Sequence, residues 1–429
     1  MERMLLKELK KWKEDKKRKP LILKGARQVG KTWLMKEFGK KEFKKVAYVN
    51  FFNNDRMKTF FSVDYDIKRL ITGISAETGI EITPNDTLII FDEIQECPKA
   101  LESLKFFYEN APEFAIISAG SLLGVAIHKD ISYPVGKVCH LTLYPMNFKE
   151  FLLAQKENKL VEFLENKDFS LINSFADKFL FHLKNYFFTG GMPEPVLYFV
   201  EHSDFSGTRK IQEEILIQYK NDFGKHISSS ELPRINMVWD SIPIQLAKEN
   251  KKFFFGQIKK GARASEYEKA IQWLLDCGLV YKVYKVKEPR VPLSFYKDLT
   301  SFKLFMLDTG LLGALSGLDA KTLLEGSALF VKAKGAFAEQ YVFQELISET
   351  NYIPYYFSSE TATFEQDFLI QNEKNVIPIE VKFGKNIHSQ SLKAYSKKYN
   401  PEVAIRFSEL PYIEQEIIKN IPLYAICCL

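Results

Sequence analysis

The chain is expected to fold as an α/β protein divided into several domains, and three observations predict this. Short apolar strands alternate with helical runs over the first third, the middle is helical and aromatic, and the last part returns to strands set around two helices. Strand–helix alternation implies a parallel sheet with ligands at the carboxyl edge of its strands. A length of 429 residues agrees, because it exceeds what one hydrophobic core ordinarily serves. We expect four segments, over residues 1–145, 146–232, 233–308 and 309–429.

Bulk properties exclude some classes. An apolar fraction of 46% is that of a globular chain, and 60 Lys+Arg against 54 Asp+Glu leave a net charge of +6. That excess permits contact with a polyanion without announcing a nucleic-acid binder. Cys97, Cys139, Cys277, Cys427 and Cys428 have no zinc-ligand spacing and fit a reduced, cytoplasmic setting. In MERMLLKELKKWKEDKKRKP the leucines precede the lysines, the reverse of a secretory signal, and no segment reaches the apolar length of a membrane span. No membrane partner is expected.

The first element after Pro20 is a short buried strand, Leu21 to Leu23, which runs into Gly25, Ala26, Arg27, Gln28, Val29, Gly30, Lys31 and Thr32 ahead of a helical run. This is G-x-x-x-x-G-K-[ST] in its strand–loop–helix setting, a phosphate-binding P-loop. Glycines let the backbone curl so that its N–H groups point inward, the helix N-terminus adds positive potential, and Lys31 reaches the outer phosphates. Thr32 offers a hydroxyl to Mg²⁺. ATP with Mg²⁺ is the expected cofactor, against the bland alternative of a chance Gly-Lys turn.

A second strand, Val46 to Phe51, follows, and a third, Thr87 to Phe91, delivers Asp92 and Glu93 at its carboxyl end. In this Walker B pattern Asp92 holds the magnesium shell and Glu93 orients and activates the attacking water. Two merely solvated acids are the alternative. A fourth strand, Phe114 to Ile117, leads into Ser118 and Ser121, and a fifth covers Val138 to Leu143. Either serine is a candidate for sensing the γ-phosphate or the lytic water, and either also serves as a cap for the helix beginning near Leu122.

GARQVGKT, LIIFDEIQECP, IISAGSLLGVA, YPVGKV with LYPMNFKEFL, and GGMPEPV together resemble an AAA-type ATPase family of prokaryotes that carries a C-terminal domain long catalogued as of unknown function. The resemblance covers essentially the whole chain. It implies an ASCE-type P-loop core in which a strand is inserted between those carrying the Walker A and Walker B motifs.

Residues from Pro145 to about Glu231 read as a helical lid and connector, broken at Gly190-Gly191-Met192-Pro193 by a loop or a hinge. Helices over 235–249 and 265–276, then strands over 279–286 and 302–307, form the layout of a winged helix, an element that serves DNA or protein contacts. Lys259, Lys260, Arg263 and Lys269 make its neighbourhood basic, as a phosphate-binding or a solvated face. Arg27, Lys137 and Arg263 are the candidate arginine-finger-type residues.

The final segment reads as helix 329–349, strands 352–357, 363–370 and 376–383, helix 391–399 and strand 403–408, the α-β-β-β-α-β order of a restriction-endonuclease-like α/β domain. Strand periodicity places Glu380 and Lys382 on one face, and Asp367 completes a D-x12-E-x-K pattern matching the nuclease signature of that fold. On the preceding helix a 100° step aligns Val331, Gly335, Glu339, Val342 and Leu346, which leaves Glu339 inside an apolar stripe. A buried carboxylate demands a partner or a metal. Glu339, Asp367 and Glu380 are therefore expected to hold a second Mg²⁺ or a Mn²⁺, with Lys382 stabilising a hydroxide for phosphodiester hydrolysis. An internal ion-pair network without catalysis is the alternative.

Two functions follow from these readings. One is an ATPase that couples nucleotide hydrolysis to a DNA-directed, metal-dependent nuclease. The other is a nucleotide-dependent switch or scaffold with an inert nuclease-like recognition domain. The expected partners are nucleotide, DNA, and a second copy of the chain or another protein.

Overall fold

The computed structural model describes residues 2–120, 133–248, 251–320, 331–359, 364–384 and 389–429. They fall into two compact units. One is built from residues 2–144 with 276–279, the other from 145–275 and 280–429.

In the first unit the elements run α1 (Leu5–Glu14), β1 (Leu21–Lys24), α2 (Lys31–Glu42), β2 (Lys45–Asn50), α3 (Asp55–Ser62), α4 (Ile67–Thr78), β3 (Thr87–Asp92), α5 (Pro98–Asn110), β4 (Ala115–Ala119) and β5 (Cys139–Thr142). The five strands lie in the order β2-β3-β4-β1-β5, every pair parallel, so β4 sits between the P-loop strand and the strand that ends in Asp92. β3 reads as a continuous apolar run because both of its faces are covered, and all six of its residues are buried. On one face Phe51, Phe61 and Phe91 meet edge to face at 5.5 to 5.6 Å within a core that includes Ile22, Ile89, Leu101 and Ile116. The helices begin where the sequence supplies caps: Asn54 accepts from Met57 N–H, and Asp66 from Arg69 N–H.

The second unit opens with helices α6 (Phe148–Ala154), α7 (Asn158–Glu165), α8 (Phe169–Ser174), α9 (Ala176–Thr189), α10 (Pro193–His202), α11 (Phe205–His226), α12 (Leu232–Leu246) and α13 (Ala264–Asp276). The hairpin β6 (Val280–Val286) and β7 (Lys297–Met306) follows, then α14 (Thr309–Leu315), α15 (Val331–Glu349), β8 (Tyr355–Ser358), β9 (Glu365–Gln371), β10 (Val376–Val381), α16 (Gln390–Tyr399), β11 (Ala404–Ser408), β12 (Ile413–Gln415) and β13 (Ile418–Pro422). These strands make a single sheet in the order β12-β13-β11-β10-β9-β8-β6-β7. Two helices and a hairpin thus occur where a winged helix was expected, but the hairpin is no free wing. β6 pairs in parallel with β8, Lys285 opposite Tyr356 and Val286 opposite Phe357, so the line drawn at residue 308 runs through one sheet. Local periodicity cannot reveal a pairing of residues 71 apart in sequence.

Helix α15 is the axis of this unit. Ala336 to Leu346 are all buried, so apolar residues occupy every side of the helix rather than one stripe. Its polar side chains are consequently matched one by one. Gln340 takes Met306 N–H at 2.9 Å and donates to Met306 C=O at 2.7 Å; Gln344 accepts from Thr309 N–H at 2.9 Å. Glu345 accepts from Phe148 N–H at 2.9 Å, and burial holds its carboxyl well above the usual range.

The motifs LYPMNF and GGMP meet in the same region. Met146 N–H donates to Gly191 C=O at 2.7 Å, Gly191 N–H donates to Asp308 at 2.6 Å, and Tyr186, itself bonded by Gln344 at 2.8 Å, donates to Met146 C=O at 2.5 Å. Gly190 has φ 70°, which favours glycine, and a Cβ on Gly191 would fall 2.0 Å from Met146 C=O. GGMP is therefore a tightly packed loop between α9 and α10. We expect Gly191→Ala to lower unfolding stability by on the order of 2–3 kcal/mol in urea titration, whereas Gly256→Ala, whose Cβ would meet nothing within 4 Å, changes it by less than about 1 kcal/mol.

Candidate functional site

The P-loop links β1 to α2 with three residues at positive φ, Gly25 at 146°, Gln28 at 65° and Gly30 at 94°. Gly25 is needed for space as well, since a Cβ there would lie 2.3 Å from Leu143 C=O. Gly30 is the N-cap of α2 and supplies no side-chain cap, so the first-turn amides of this helix are left to the loop cavity rather than to a serine or aspartate. The buried residue Arg3 braces the loop from below. Its guanidinium donates to Val29 C=O at 2.8 Å and to Tyr144 C=O at 2.6 Å, tying the loop to the chain just past β5.

Lys31 is only 7% exposed and folds back onto its own loop, donating to Gly25 C=O at 2.8 Å and Ala26 C=O at 2.7 Å. Burial pulls its ammonium down to about 8, against the opposing pull of Glu93 and Asp92. Thr32 donates to Asp92 at 2.7 Å, and Tyr48 donates to the same carboxylate oxygen at 2.9 Å. Glu93 sits in the left-handed region at φ 49°, its N–H on Asp92 at 3.1 Å and its carboxylate receiving Gln95 at 2.5 Å. A non-glycine residue held there is uncommon and re-aims its side chain away from the strand direction.

Thus Lys31, Thr32, Asp92 and Glu93 are gathered at the carboxyl end of β1 and β3. Ser118 is not: it is fully buried in β4 and donates to Leu21 C=O at 3.2 Å, inside the sheet. Ser121 and the helix expected from Leu122 lie outside the described residues. Lys137 engages Glu109 at 2.9 Å. Arg3, Tyr48 and Gln95 escaped sequence reasoning. For Tyr48 the signal was the alternation in β2, where Ala47 and Val49 are buried on the opposite side.

The C-terminal acids make a different arrangement. Glu339 is 2% exposed and is contacted by the ammonium of Lys251 on one oxygen and by that of Lys303, at 3.4 Å, on the other. Lys303, fully buried on β7, also reaches Glu365 at 2.8 Å. Asp367 accepts from Val381 N–H at 2.7 Å and shares a hydrogen bond with Glu339. Burial and the Glu339 charge hold the Asp367 carboxyl well above its usual range; despite burial, Lys251 and Lys303 hold Glu339 down to about 2. Glu380 turns to Lys382 at 2.9 Å instead, and the Lys382 ammonium is held above its usual value, its burial outweighed by Glu380.

This corrects the expectation that Glu339, Asp367 and Glu380 converge on one divalent cation. Among the described residues no three acidic, histidine or cysteine side chains come together as a cation's ligands would, and Glu339 already carries two ammonium groups. As arranged, Glu339, Asp367 and Glu380 do not present three ligands to one Mg²⁺ or Mn²⁺, and the second oxygen of Glu380 is buried without a hydrogen-bond partner. Lys251, Lys303 and Glu365 were missed; a lone lysine within the apolar run Phe302 to Leu307 was the available signal for Lys303.

Residues 17–152 match a family model described as an AAA domain. The first unit has the fold of an AAA-type P-loop ATPase. Beyond this AAA unit, two models described as domains of unknown function, DUF8612 and DUF4143, match residues 180–322 and 334–426. An uncharacterized protein of Methanocaldococcus jannaschii is 25% identical over 178 residues, which is 41% of this chain and 36% of that relative, so the chain spans about a third of the relative's length. Among solved structures, a Walker-type ATPase of Pyrococcus abyssi shares 13% identity over 72% of this chain and 94% of its own, with a TM-score of 0.44. The Aeropyrum pernix ORC1 protein, solved in complex with DNA, shares 14% over 73% and 90%, with a TM-score of 0.27. No helix among the described residues is long and apolar enough to cross a membrane.

Because Arg3 braces the AAA unit's P-loop with two charge-assisted hydrogen bonds, Arg3→Met should lower the stability of that unit by about 2–3 kcal/mol. Hydrogen exchange should show faster exchange in the segment around Val29; unchanged exchange there would deny Arg3 this part.

Proposed function

We propose that the AAA unit binds Mg²⁺-ATP and hydrolyses it, and that the nucleotide state switches the second unit between partner-binding states. The observation that carries this reading is the uncapped N-terminus of α2 behind a left-handed loop, with Lys31, Thr32, Asp92 and Glu93 gathered beside it. Loop amides from Gly25 to Lys31 and the first turn of α2 bind the phosphates. Lys31 exchanges its two carbonyl partners for phosphate oxygens, a stronger, charge-assisted pairing. Thr32 and Asp92 would hold Mg²⁺, which when bound supplies charge compensation to the phosphates. Glu93, positioned by its backbone and by Gln95, orients the attacking water and accepts its proton.

For the second unit, DNA is the partner favoured by charge: Lys259, Lys260, Arg263 and Lys269 are all exposed beside α13. Metal-dependent DNA cleavage has no place in this reading, since Glu339 and Glu380 are paired with lysines and Asp367 accepts from Val381 N–H. A switch with a nuclease-like recognition region is the function we assign.

Lys31→Ala should weaken nucleotide binding by on the order of a hundredfold in calorimetry. Glu93→Gln should keep binding and lose turnover by about 10² to 10⁴-fold in a phosphate-release assay; retained turnover would mean that another group positions the water. A pH effect follows from Lys31. Its value of about 8 lies below the ordinary lysine value, and phosphate contact raises it. Above pH 8 binding must therefore take up a proton, and affinity falls by about tenfold per pH unit until the bound-state value is passed. Calorimetry at alkaline pH in buffers of differing ionisation enthalpy reads this uptake directly, and no uptake would remove Lys31 from the phosphate site.

A further inference from the structure

We infer that Lys251 and Lys303 stand where a divalent cation would stand in a cluster of this spacing, making the Glu339–Asp367–Glu365 group a permanent ion-pair clamp that locks the β6–β7 hairpin to α15 and β9. The D-x12-E-x-K pattern is present in full as Asp367, Glu380 and Lys382, so the difference lies in what surrounds it.

Coordination capacity is the first argument. Each oxygen of Glu339 already faces an ammonium, Lys251 on one and Lys303 on the other. One oxygen of Asp367 is taken by Val381 N–H, and the same side chain is hydrogen-bonded to Glu339. A hard divalent cation needs about six oxygen ligands at short range, and none of these groups turns to it without releasing a partner. Glu380 points one oxygen at Lys382, at 2.9 Å, while its other oxygen is buried and accepts no hydrogen bond; the Lys382 ammonium also feels the charges of Asp367 and Glu339.

Charge balance is the second. Glu339 and Glu365 are matched by Lys251 and Lys303, so a divalent ion would add two positive charges beside two ammonium groups, that of Lys303 fully buried. Lys303 has no exposure at all, and an ammonium in that position requires carboxylates on more than one side. Its carboxylates come from α15 and β9, its own backbone from β7, and Lys251 from the segment between α12 and α13. Three elements distant in sequence are thus joined by charge at the point where a metal-dependent enzyme would keep an open cation site. Truncating one partner of such a network leaves the other charge buried and uncompensated, whereas truncating two partners together relieves it.

The test uses the full, nucleotide-free chain carrying Asp92→Asn, which removes the cation ligand of the nucleotide site. Mn²⁺ titration followed by electron paramagnetic resonance should show no bound ion that Asp367→Asn or Glu380→Gln removes. One tightly held Mn²⁺ lost in either variant overturns the inference. A thermal double-mutant cycle of Lys303→Met with Glu339→Gln should give a double variant whose midpoint falls by clearly less than the two single losses added; additive losses overturn the clamp. Should Lys303→Met fail to fold, the less buried Lys251→Met takes its place in the same cycle, and the Mn²⁺ titration decides independently of the cycle.

Discussion

A helix buried on every side cannot keep polar side chains unless each finds a partner, and that constraint organises the second unit. Helix α15 carries Glu339, Gln340, Gln344 and Glu345 through its buried turns. Each reaches a different stretch of chain: Lys251 and Lys303, Met306, Thr309 and Tyr186, and Phe148. An unpaired buried amide or carboxylate costs several times what a single good hydrogen bond contributes, so these contacts act as specifications of register more than as sources of net stability. The helical region, the hairpin and the C-terminal strands are thereby held as one unit around one axis.

The first unit answers the same constraint in a way suited to exchange. Lys31 is buried without a carboxylate in hydrogen-bonding contact among its partners, and it satisfies itself with two carbonyls of its own loop. Carbonyls are weaker partners for an ammonium than phosphate oxygens are, so these contacts are ready for replacement. The contrast with Lys303 is instructive. That lysine is matched by full carboxylate charges on two sides, an arrangement with no incentive to open. Two buried lysines in one chain thus serve opposite ends, one poised for a ligand and the other sealed.

How much was legible beforehand follows from the distance over which each feature is encoded. The P-loop, the acids after β3 and the five strands of the first sheet were readable because each is a short contiguous pattern whose period or spacing is local. The insertion of β4 between β1 and β3 came from the resemblance, and register confirmed it. Asn147 with Glu150 forms a capping box that opens α6, a signature present in the text of the chain yet passed over amid its aromatics. The burial of Ser118 was not readable, since a serine at a strand end looks the same whether its hydroxyl faces a ligand or a neighbouring carbonyl.

By itself, then, the amino-acid sequence determined the identity and order of the nucleotide-site groups and the Asp367, Glu380 and Lys382 pattern near the C-terminus, because those depend on neighbours within one or two strands or one loop. Tertiary structure alone decided which cations those acids meet. Lys251 and Lys303 lie 88 and 36 residues from Glu339, and whether a buried carboxylate is answered by a metal or by an ammonium depends on which side chains the fold brings within a few ångströms. No periodicity along the chain carries that information, since pairing of this kind is a property of packed elements and not of their sequence spacing.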